Sequence, residues 1–241
     1  MRINENHWLL KSPIAHRGLW GGGVVENSIT AYKNAVEKGY PIEIDVYLTK
    51  DGEIVSFHDA NLKRMTGEDA FIYDKTLGEL QALSLLGTEE KIPTLKEVLA
   101  VCKNKSPLLI EIKNQPNGEV VEKTLEVLKD YDGEYAIQSF NPLYLRKVKK
   151  LAPFILRGIL STKSKEHLKK EKPINRFIIK NMALNFLIRP DFISFNYENL
   201  PLKKCKTKRR PVIAWTVTSK KIQDEICSYC DNIIFENYLP K

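Results

Sequence analysis

The sequence contains no long apolar run, and none approaches the roughly 20 consecutive apolar residues that a membrane-spanning helix needs. Only four of its 241 residues are cysteine, which favours a reducing cytoplasm over a disulfide-stabilised scaffold. The first residues lack the charged-then-apolar order of a signal peptide, so we expect a cytoplasmic protein. No internal repeat, low-complexity tract or linker divides the chain. We therefore expect a single domain over residues 1–241.

Acidic residues are fewer than basic ones: 30 Asp and Glu against 38 Lys and Arg give a formal net charge of +8. Such an excess favours anionic partners such as phosphorylated metabolites, nucleic acid or an anionic membrane. Part of it lies in the basic run 203–210, which is interpreted as a solvated loop or, alternatively, as a membrane-attracted segment. No platform of aromatic and basic residues supports nucleic-acid binding. We therefore expect a small-molecule partner and no nucleic acid, and peripheral contact with an anionic membrane stays open.

The pattern of apolar residues alternates between strand-like and helix-like segments along the whole chain. Nine strand-like segments are present, and the one at 53–58 follows a turn signal, so it is predicted to be antiparallel to its predecessor. The other eight alternate with helices, which favours a parallel sheet. Together with a length close to the roughly 250 residues typical of this architecture, the pattern predicts an α/β fold: a (β/α)8 TIM barrel with a short hairpin or insertion after the second strand.

The stretch 41–59 is the most informative one for function. Glu43 and Asp45 alternate with aliphatic residues, so a strand would place both carboxylates on one face. If Lys50-Asp51 forms the turn of a hairpin, His58 is predicted to lie opposite Glu43. Acids on a buried strand face are costly unless a cation or another partner compensates them. The stretch therefore predicts a metal site with a proton carrier beside it.

Further polar side chains follow other predicted strands, at the ends where (β/α)8 barrels carry their functional residues. These are His16 and Arg17 after the first strand, Glu111 and Lys113 on a later strand, and Trp215 near the last. Three acids suit a hard divalent cation such as Mg²⁺ or Ca²⁺, which prefers oxygen ligands. Histidines titrate near neutral pH and can act as acid and base, and Arg and Lys can hold a phosphate. The set predicts phosphoryl chemistry on an anionic substrate.

These residues fall in stretches through which the chain resembles the glycerophosphodiester phosphodiesterase family nearly from end to end. Each stretch is weak alone, but their order and spacing together are specific. They are His16-Arg17-Gly18, Glu26-Asn27-Ser28, Glu43-Ile44-Asp45-Val46, Thr49-Lys50-Asp51-Gly52, His58-Asp59, Ile92-Pro93-Thr94-Leu95, Glu111-Ile112-Lys113, Ser139-Phe140-Asn141 and Trp215-Thr216-Val217.

The resemblance implies a (β/α)8 barrel that hydrolyses glycerophosphodiesters to glycerol 3-phosphate and an alcohol, with one divalent cation, Mg²⁺ or Ca²⁺. It implies that the metal ligands are Glu43, Asp45 and Glu111. The general acid and base would be His16 and His58, and the substrate-binding residues would be Arg17, Lys113 and Trp215.

Two alternatives to this interpretation remain. One is a lysophospholipase D type of cleavage, in which the same machinery acts on a lysolipid at a membrane surface. The apolar segment 177–188 is compatible with a lipid-facing rim, although a packed or oligomer-contacting helix is the simpler interpretation. The other is a barrel that binds a phosphodiester or headgroup without turning it over. The sequence leaves open which alcohol departs, which cation is preferred and what the oligomeric state is.

Overall fold

The structure is a computed structural model that describes residues 3–166, 168–169, 171–203, 207 and 210–240. The chain forms two compact units. Unit I comprises Ala15–Tyr135, and unit II comprises the residues up to Ile14 together with those from Ala136 onwards. The single-domain organisation expected from the sequence stays a prediction.

Unit I contains the strands β1 (Ile14–His16), β2 (Ile42–Leu48), β3 (Ile54–Ser56) and β4 (Leu108–Ile112). Strand β2 lies between β1 and β4 and is parallel to both. Every residue of β2 is buried. Its branched side chains suit a strand that is covered on both faces, and they leave its two acids inside the protein.

The hairpin between β2 and β3 has a different register from the one predicted. Leu48 pairs with Ile54 and Val46 with Ser56, so the connection is one residue longer than the two-residue turn Lys50-Asp51. Gly52, at φ +89°, supplies the left-handed residue that ends a longer turn of this kind. The prediction that His58 lies opposite Glu43 is therefore wrong, because a shift of one residue changes every cross-strand partner.

The helices of unit I include two that begin with a capping box. The helices are α2 (Ile29–Glu37), α3 (Lys63–Thr66), α4 (Leu77–Ala82), α5 (Leu95–Cys102) and α6 (Val120–Leu128), and short 3₁₀ turns span Ile72–Asp74 and Leu85–Gly87. At α5, the spacing of Thr94 and Glu97 in the sequence predicts a capping box, and the structure contains it: Thr94 accepts from the Glu97 amide while the Glu97 carboxylate accepts from the Thr94 amide. Thr76 and Glu79 form the same arrangement at α4.

The segment between β3 and α5 is an ordered insertion with its own apolar cluster. Buried side chains from β2, β3, the loop between β1 and α2, and the insertion pack together there: Val25, Tyr47, Val55, Phe57, Leu62, Met65, Ile72, Leu80, Leu85 and Ile92. This burial holds the residues that follow β3 against the end of β2.

Unit II continues the alternation of strands and helices. Its strands β5 (Tyr135–Ser139), β6 (Leu156–Ser161), β7 (Phe192–Asn196), β8 (Val212–Val217) and β9 (Asn232–Phe235) pair in chain order, and every pairing is parallel. Its helices are α1 (Trp8–Lys11), α7 (Pro142–Leu151), α8 (Pro173–Asn181), α9 (Asn185–Ile188) and α10 (Lys220–Ile226), and a 3₁₀ turn spans Tyr197–Asn199. The basic run 203–210 lies largely outside the described residues.

The fold is the predicted (β/α)8 barrel, with β3 as the antiparallel addition after the second strand. Within the described ranges, no helix combines the length and the apolar character that crossing a bilayer requires. The apolar segment 177–188 is divided at Met182, whose left-handed backbone ends α8.

We expect Gly158→Ala to destabilise the protein by about 1–3 kcal/mol, since it overpacks a filled core. A Cβ at this position of β6 would overlap the ring of the fully buried Phe192 on β7. Gly78→Ala is the matched control, because a Cβ there meets open space and alanine is the better residue in α4. The apparent stability is measured by urea unfolding. A Gly158→Ala protein as stable as the wild type would contradict this packing.

Candidate active site

The pairing of β1, β2 and β4 brings the predicted acids together. His16 is the neighbour of Glu43 in the β1–β2 register, and Asp45 is the neighbour of Glu111 in the β2–β4 register. Because Glu43 and Asp45 are two residues apart on one strand, both side chains point to the same face. Four of the predicted site residues therefore occupy neighbouring positions on three adjacent strands.

The three carboxylates are buried and close to each other. Glu43, Asp45 and Glu111 each offer one oxygen, and these oxygens all lie within 4.8 Å of one another. Lys113 approaches two of them, with its Nζ 3.2 Å from Asp45 Oδ1 and 3.0 Å from Glu111 Oε1. Arg17 Nε lies 3.6 Å from Asp45 Oδ2. The predicted metal ligands and phosphate-binding residues thus form one cluster.

Burial and mutual repulsion separate the pKa values of the acids. Burial, followed by the charges of Asp45 and Glu111, raises the pKa of Glu43 well above its usual range. Burial also acts to raise the pKa of Asp45, but Lys113 and the neighbouring cationic groups outweigh it and hold that pKa well below its usual range. The pKa of Glu111 is raised by burial, against the effect of Lys113.

This donor set fits a hard divalent cation. Lys113 and Arg17 bring two positive charges to three carboxylates, so one negative charge is left uncompensated, and the raised pKa of Glu43 favours a proton on that carboxylate. A bound divalent cation would compensate the charge in place of the proton. Carboxylate oxygens are the ligands that Mg²⁺ and Ca²⁺ prefer. The residues implied by the resemblance therefore satisfy the chemistry of such a site.

The loop after β1 is shaped by its contacts with β2 and α2. The Arg17 backbone has φ +61°, an uncommon value outside glycine, and its amide donates to the Glu43 backbone carbonyl at 3.0 Å and to Glu43 Oε2 at 3.2 Å. Gly18 follows at φ +82°, where a Cβ would lie 2.8 Å from the backbone of Ala31. The left-handed turn therefore brings the Arg17 backbone directly onto a metal-ligand candidate.

Asn27 is a site residue for which sequence reasoning assigned no role. Its amide Nδ2 donates to Asp45 Oδ2 at 3.0 Å, while its Oδ1 accepts from the buried hydroxyl of Tyr32 at 2.8 Å. The Tyr32 hydroxyl in turn lies 2.6 Å from Ser56 Oγ. The only signal in the sequence was its position in the stretch Glu26-Asn27-Ser28. These contacts fix one oxygen of Asp45, which leaves the other directed at Lys113.

His58 lies beyond the end of the β2–β3 ladder, close to Asp45 rather than opposite Glu43. Its Nδ1 is 2.7 Å from Asp59 Oδ1. Burial and Lys113 lower the pKa of His58 to about 4, although Asp45 and Asp59 act in the opposite direction. The pKa of Asp59 is held well below its usual range by hydrogen bonds from His58 and Arg64, which outweigh its burial. An ionised Asp59 can only accept, so the Nδ1 of a neutral His58 carries the proton and its Nε2 is the basic nitrogen.

Arg64 connects this histidine to the phosphate-binding candidate Arg17. Its Nε donates to Asp59 Oδ2 at 2.5 Å, and its two terminal nitrogens donate to both oxygens of Glu26 at 3.1 and 2.7 Å. Glu26 Oε1 also accepts from Arg17 Nη1 at 2.7 Å. A bidentate pair of this kind fixes the relative orientation of the two side chains and also adds to the strength of the ion pair. Sequence reasoning did not identify Arg64 because its partners lie as far as 38 positions away in the chain.

The other histidine, His16, has its Nε2 4.0 Å from Glu43 Oε2. The last predicted site residue, Trp215, belongs to unit II, where it lies on β8. Its ring meets Phe140 edge-to-face, with ring centroids 5.6 Å apart. Unit I therefore brings together seven of the eight predicted site residues. The substrate-binding role of Trp215 stays a prediction.

Sequence comparison finds similarity to known phosphodiesterases. The model of the glycerophosphoryl diester phosphodiesterase family matches residues 16–234. A glycerophosphodiester phosphodiesterase of Caldanaerobacter subterraneus subsp. tengcongensis is 42% identical over 161 residues, which are 61% of this chain and 65% of that protein. The lysophospholipase D GDPD1 of Rattus norvegicus is 35% identical over 139 residues, 52% of this chain and 43% of that protein. The matched segments thus span less than two thirds of these relatives.

Structural comparison gives a similar protein over almost the whole chain. An Oleispira antarctica phosphodiesterase, solved in complex with the product sn-glycerol-3-phosphate, superposes with a TM-score of 0.80 at 27% sequence identity. The match covers 95% of this chain and 94% of that one.

We expect Arg64→Met to lower the free energy of unfolding by about 1.5–3 kcal/mol, because it removes the bidentate partner of the largely buried Glu26, which retains its pair with Arg17, and the arginine partner of Asp59. The neighbouring Lys63→Met is the matched control. Lys63 pairs with Asp69 at the surface, where both side chains are more than 60% exposed, and such pairs contribute less than about 1 kcal/mol. Urea unfolding at neutral pH measures both variants.

The effect of Arg64→Met should also depend on pH. The pKa values of Glu26 and Asp59 are lowered in the folded protein, so their contribution to stability is complete above the ordinary carboxyl pKa of about 4 and is lost as the pH falls through the folded values. The difference between the wild type and the variant should shrink below that pH. A difference that is constant down to acid unfolding, or equal losses for both variants, would contradict this network.

Proposed function

The chain belongs to the glycerophosphoryl diester phosphodiesterase family, and we propose that it hydrolyses glycerophosphodiesters to glycerol 3-phosphate and an alcohol. The observation that carries the proposal is the cluster of three buried carboxylates in contact with Lys113 and Arg17, beside two histidines. The similarity to the Oleispira antarctica phosphodiesterase, which was solved in complex with the product sn-glycerol-3-phosphate, supports this substrate class. The cytoplasmic location expected from the composition belongs to the same proposal.

Glu43, Asp45 and Glu111 would hold one divalent cation, Mg²⁺ or Ca²⁺, which when bound supplies charge stabilisation at the phosphoryl group. Arg17 and Lys113 bind the phosphate oxygens. Both side chains are already paired with Asp45, so their positions and charges are set before substrate arrives. Trp215 would pack on the glycerol or alcohol portion of the substrate.

The two histidines divide the proton transfers. His58 is the base, because Asp59 holds the proton on Nδ1 and leaves Nε2 to take a proton from a free glycerol hydroxyl. That hydroxyl oxygen forms a bond to phosphorus while the bond to the alcohol oxygen breaks, and His16 gives the departing alcohol its proton. Water then opens the cyclic phosphate with the two roles reversed, which restores both histidines and yields glycerol 3-phosphate.

A second candidate function is the cleavage of a lysophospholipid by the same residues. The similarity to the rat lysophospholipase D supports it. The two candidates differ in the glycerol portion of the substrate, which carries an acyl chain in a lysophospholipid and still offers one free hydroxyl. The attack of that hydroxyl on phosphorus therefore applies to both, and the product keeps the acyl chain in the second case. Glycerophosphocholine and glycerophosphoethanolamine assayed beside a lysophospholipid distinguish them.

We expect His16→Ala and His58→Ala each to reduce the release of product by about 10²–10⁴-fold, the usual contribution of a general acid or base. His7→Asn is the control: His7 caps α1 through its side chain, asparagine can replace that cap, and full activity is expected. A chelator should abolish the activity of the wild type, and Mg²⁺ or Ca²⁺ should restore it.

Circular dichroism and urea unfolding show whether each variant remains folded. Near-wild-type activity in either folded histidine variant would contradict its role. Tight binding of a phosphodiester without release of product from glycerophosphocholine, glycerophosphoethanolamine or the lysophospholipid would instead support a binding protein.

A further inference from the structure

Helix α8 is attached to the protein along one narrow side. Ile179 is the one residue between Pro173 and Asn181 that is buried, and its backbone carbonyl accepts a hydrogen bond from Ser161 Oγ on β6 at 2.7 Å. The rest of the helix is exposed or half-buried. The helix therefore presents most of its circumference to the surroundings.

The side of α8 opposite Ile179 is apolar. Ile174 is 62% exposed and Phe177 is 59% exposed. Because successive helical residues are rotated by about 100°, these two side chains share one face, and that face lies on the far side from Ile179. A helix that only covers the sheet would place its large apolar residues towards β6 instead.

Basic residues outnumber acidic ones in α8 and in the segment that leads into it. Six basic and two acidic residues are described between Lys163 and Lys180: Lys163, Lys165, Lys169, Lys172, Arg176 and Lys180 against Glu166 and Glu171. Arg176 donates to the backbone carbonyls of Lys169 and Glu171 at 2.8 and 2.7 Å, which fixes the preceding turn beside the helix. An excess of positive charge therefore lies in and next to the helix that carries Ile174 and Phe177.

We propose that α8 docks on an anionic phospholipid surface. An exposed aliphatic and aromatic face on a helix rich in Lys and Arg is typical of a helix that lies in the plane of a membrane interface. Ile174 and Phe177 enter the boundary between headgroups and acyl chains, and the Lys and Arg residues of α8 and of the segment before it are attracted to the headgroup phosphates. The proposal is independent of the proposed hydrolysis, since it concerns where the protein is held and not what it cleaves.

A second copy of the chain fits this face less well. A symmetric contact places the same patch of both protomers together, and it would bring the excess positive charge of the two segments together. An anionic bilayer instead complements both features of the face.

The test is sedimentation of the full chain with vesicles of phosphatidylcholine alone or of phosphatidylcholine mixed with phosphatidylglycerol. We expect binding to the mixed vesicles only, weakened by added salt. The double variant Ile174→Ser/Phe177→Ser should bind about tenfold less tightly or worse, since it removes the apolar contacts. Lys172→Gln should weaken binding by about fivefold.

Phe154→Ser is the matched control. Phe154 is 74% exposed, but it precedes β6, whereas α8 follows that strand, so the two lie towards opposite ends of β6. Vesicle binding by this variant should equal that of the wild type. Equal losses for Phe154→Ser and the double variant, or no preference for anionic vesicles, would overturn the proposal.

A third variant keeps the test decisive if the double variant is poorly folded. Phe177→Trp retains the apolar character, and its added fluorescence should be quenched by brominated lipids in the anionic vesicles. Absence of that quenching overturns the proposal. A concentration-dependent dimer that the double variant abolishes, seen by analytical ultracentrifugation without vesicles, would assign the face to a second copy instead.

Discussion

The burial of three carboxylates at neighbouring positions of adjacent strands is the constraint on which the rest of unit I depends. Glu43, Asp45 and Glu111 lie inside the protein, where charge is poorly solvated and like charges repel. Such an arrangement persists only if other groups compensate it. Lys113 and Arg17 do so by direct contact, and the raised pKa values of Glu43 and Glu111 record how incomplete that compensation is.

The surrounding structure follows from holding these compensating groups in place. Arg17 needs a left-handed turn to reach Asp45 while its amide meets Glu43, and Gly18 lets that turn pack on α2. Glu26 then neutralises Arg17, and Arg64 bridges Glu26 to the aspartate beside His58. The orientation of a catalytic candidate is thus linked to the phosphate-binding candidate through three ion pairs.

Local patterns in the sequence predict the strands and several details, whereas contacts between distant segments escape them. Alternation placed Glu43 and Asp45 on one face, and the capping box at Thr94 was predicted from its spacing. The hairpin register was wrong because a turn signal does not state its length, and one residue decides which side chains face each other. Asn27 and Arg64 were not assigned because their contacts exist only in the folded chain.

We propose that the three buried acids form a single divalent cation site. Anomalous X-ray diffraction from crystals soaked with Mn²⁺, which binds to oxygen ligands, tests it most directly. We expect one strong peak at bonding distance, about 2.0–2.6 Å, from carboxylate oxygens of Glu43, Asp45 and Glu111. A peak elsewhere, or none while Lys113 remains paired with Asp45 and Glu111, would contradict it.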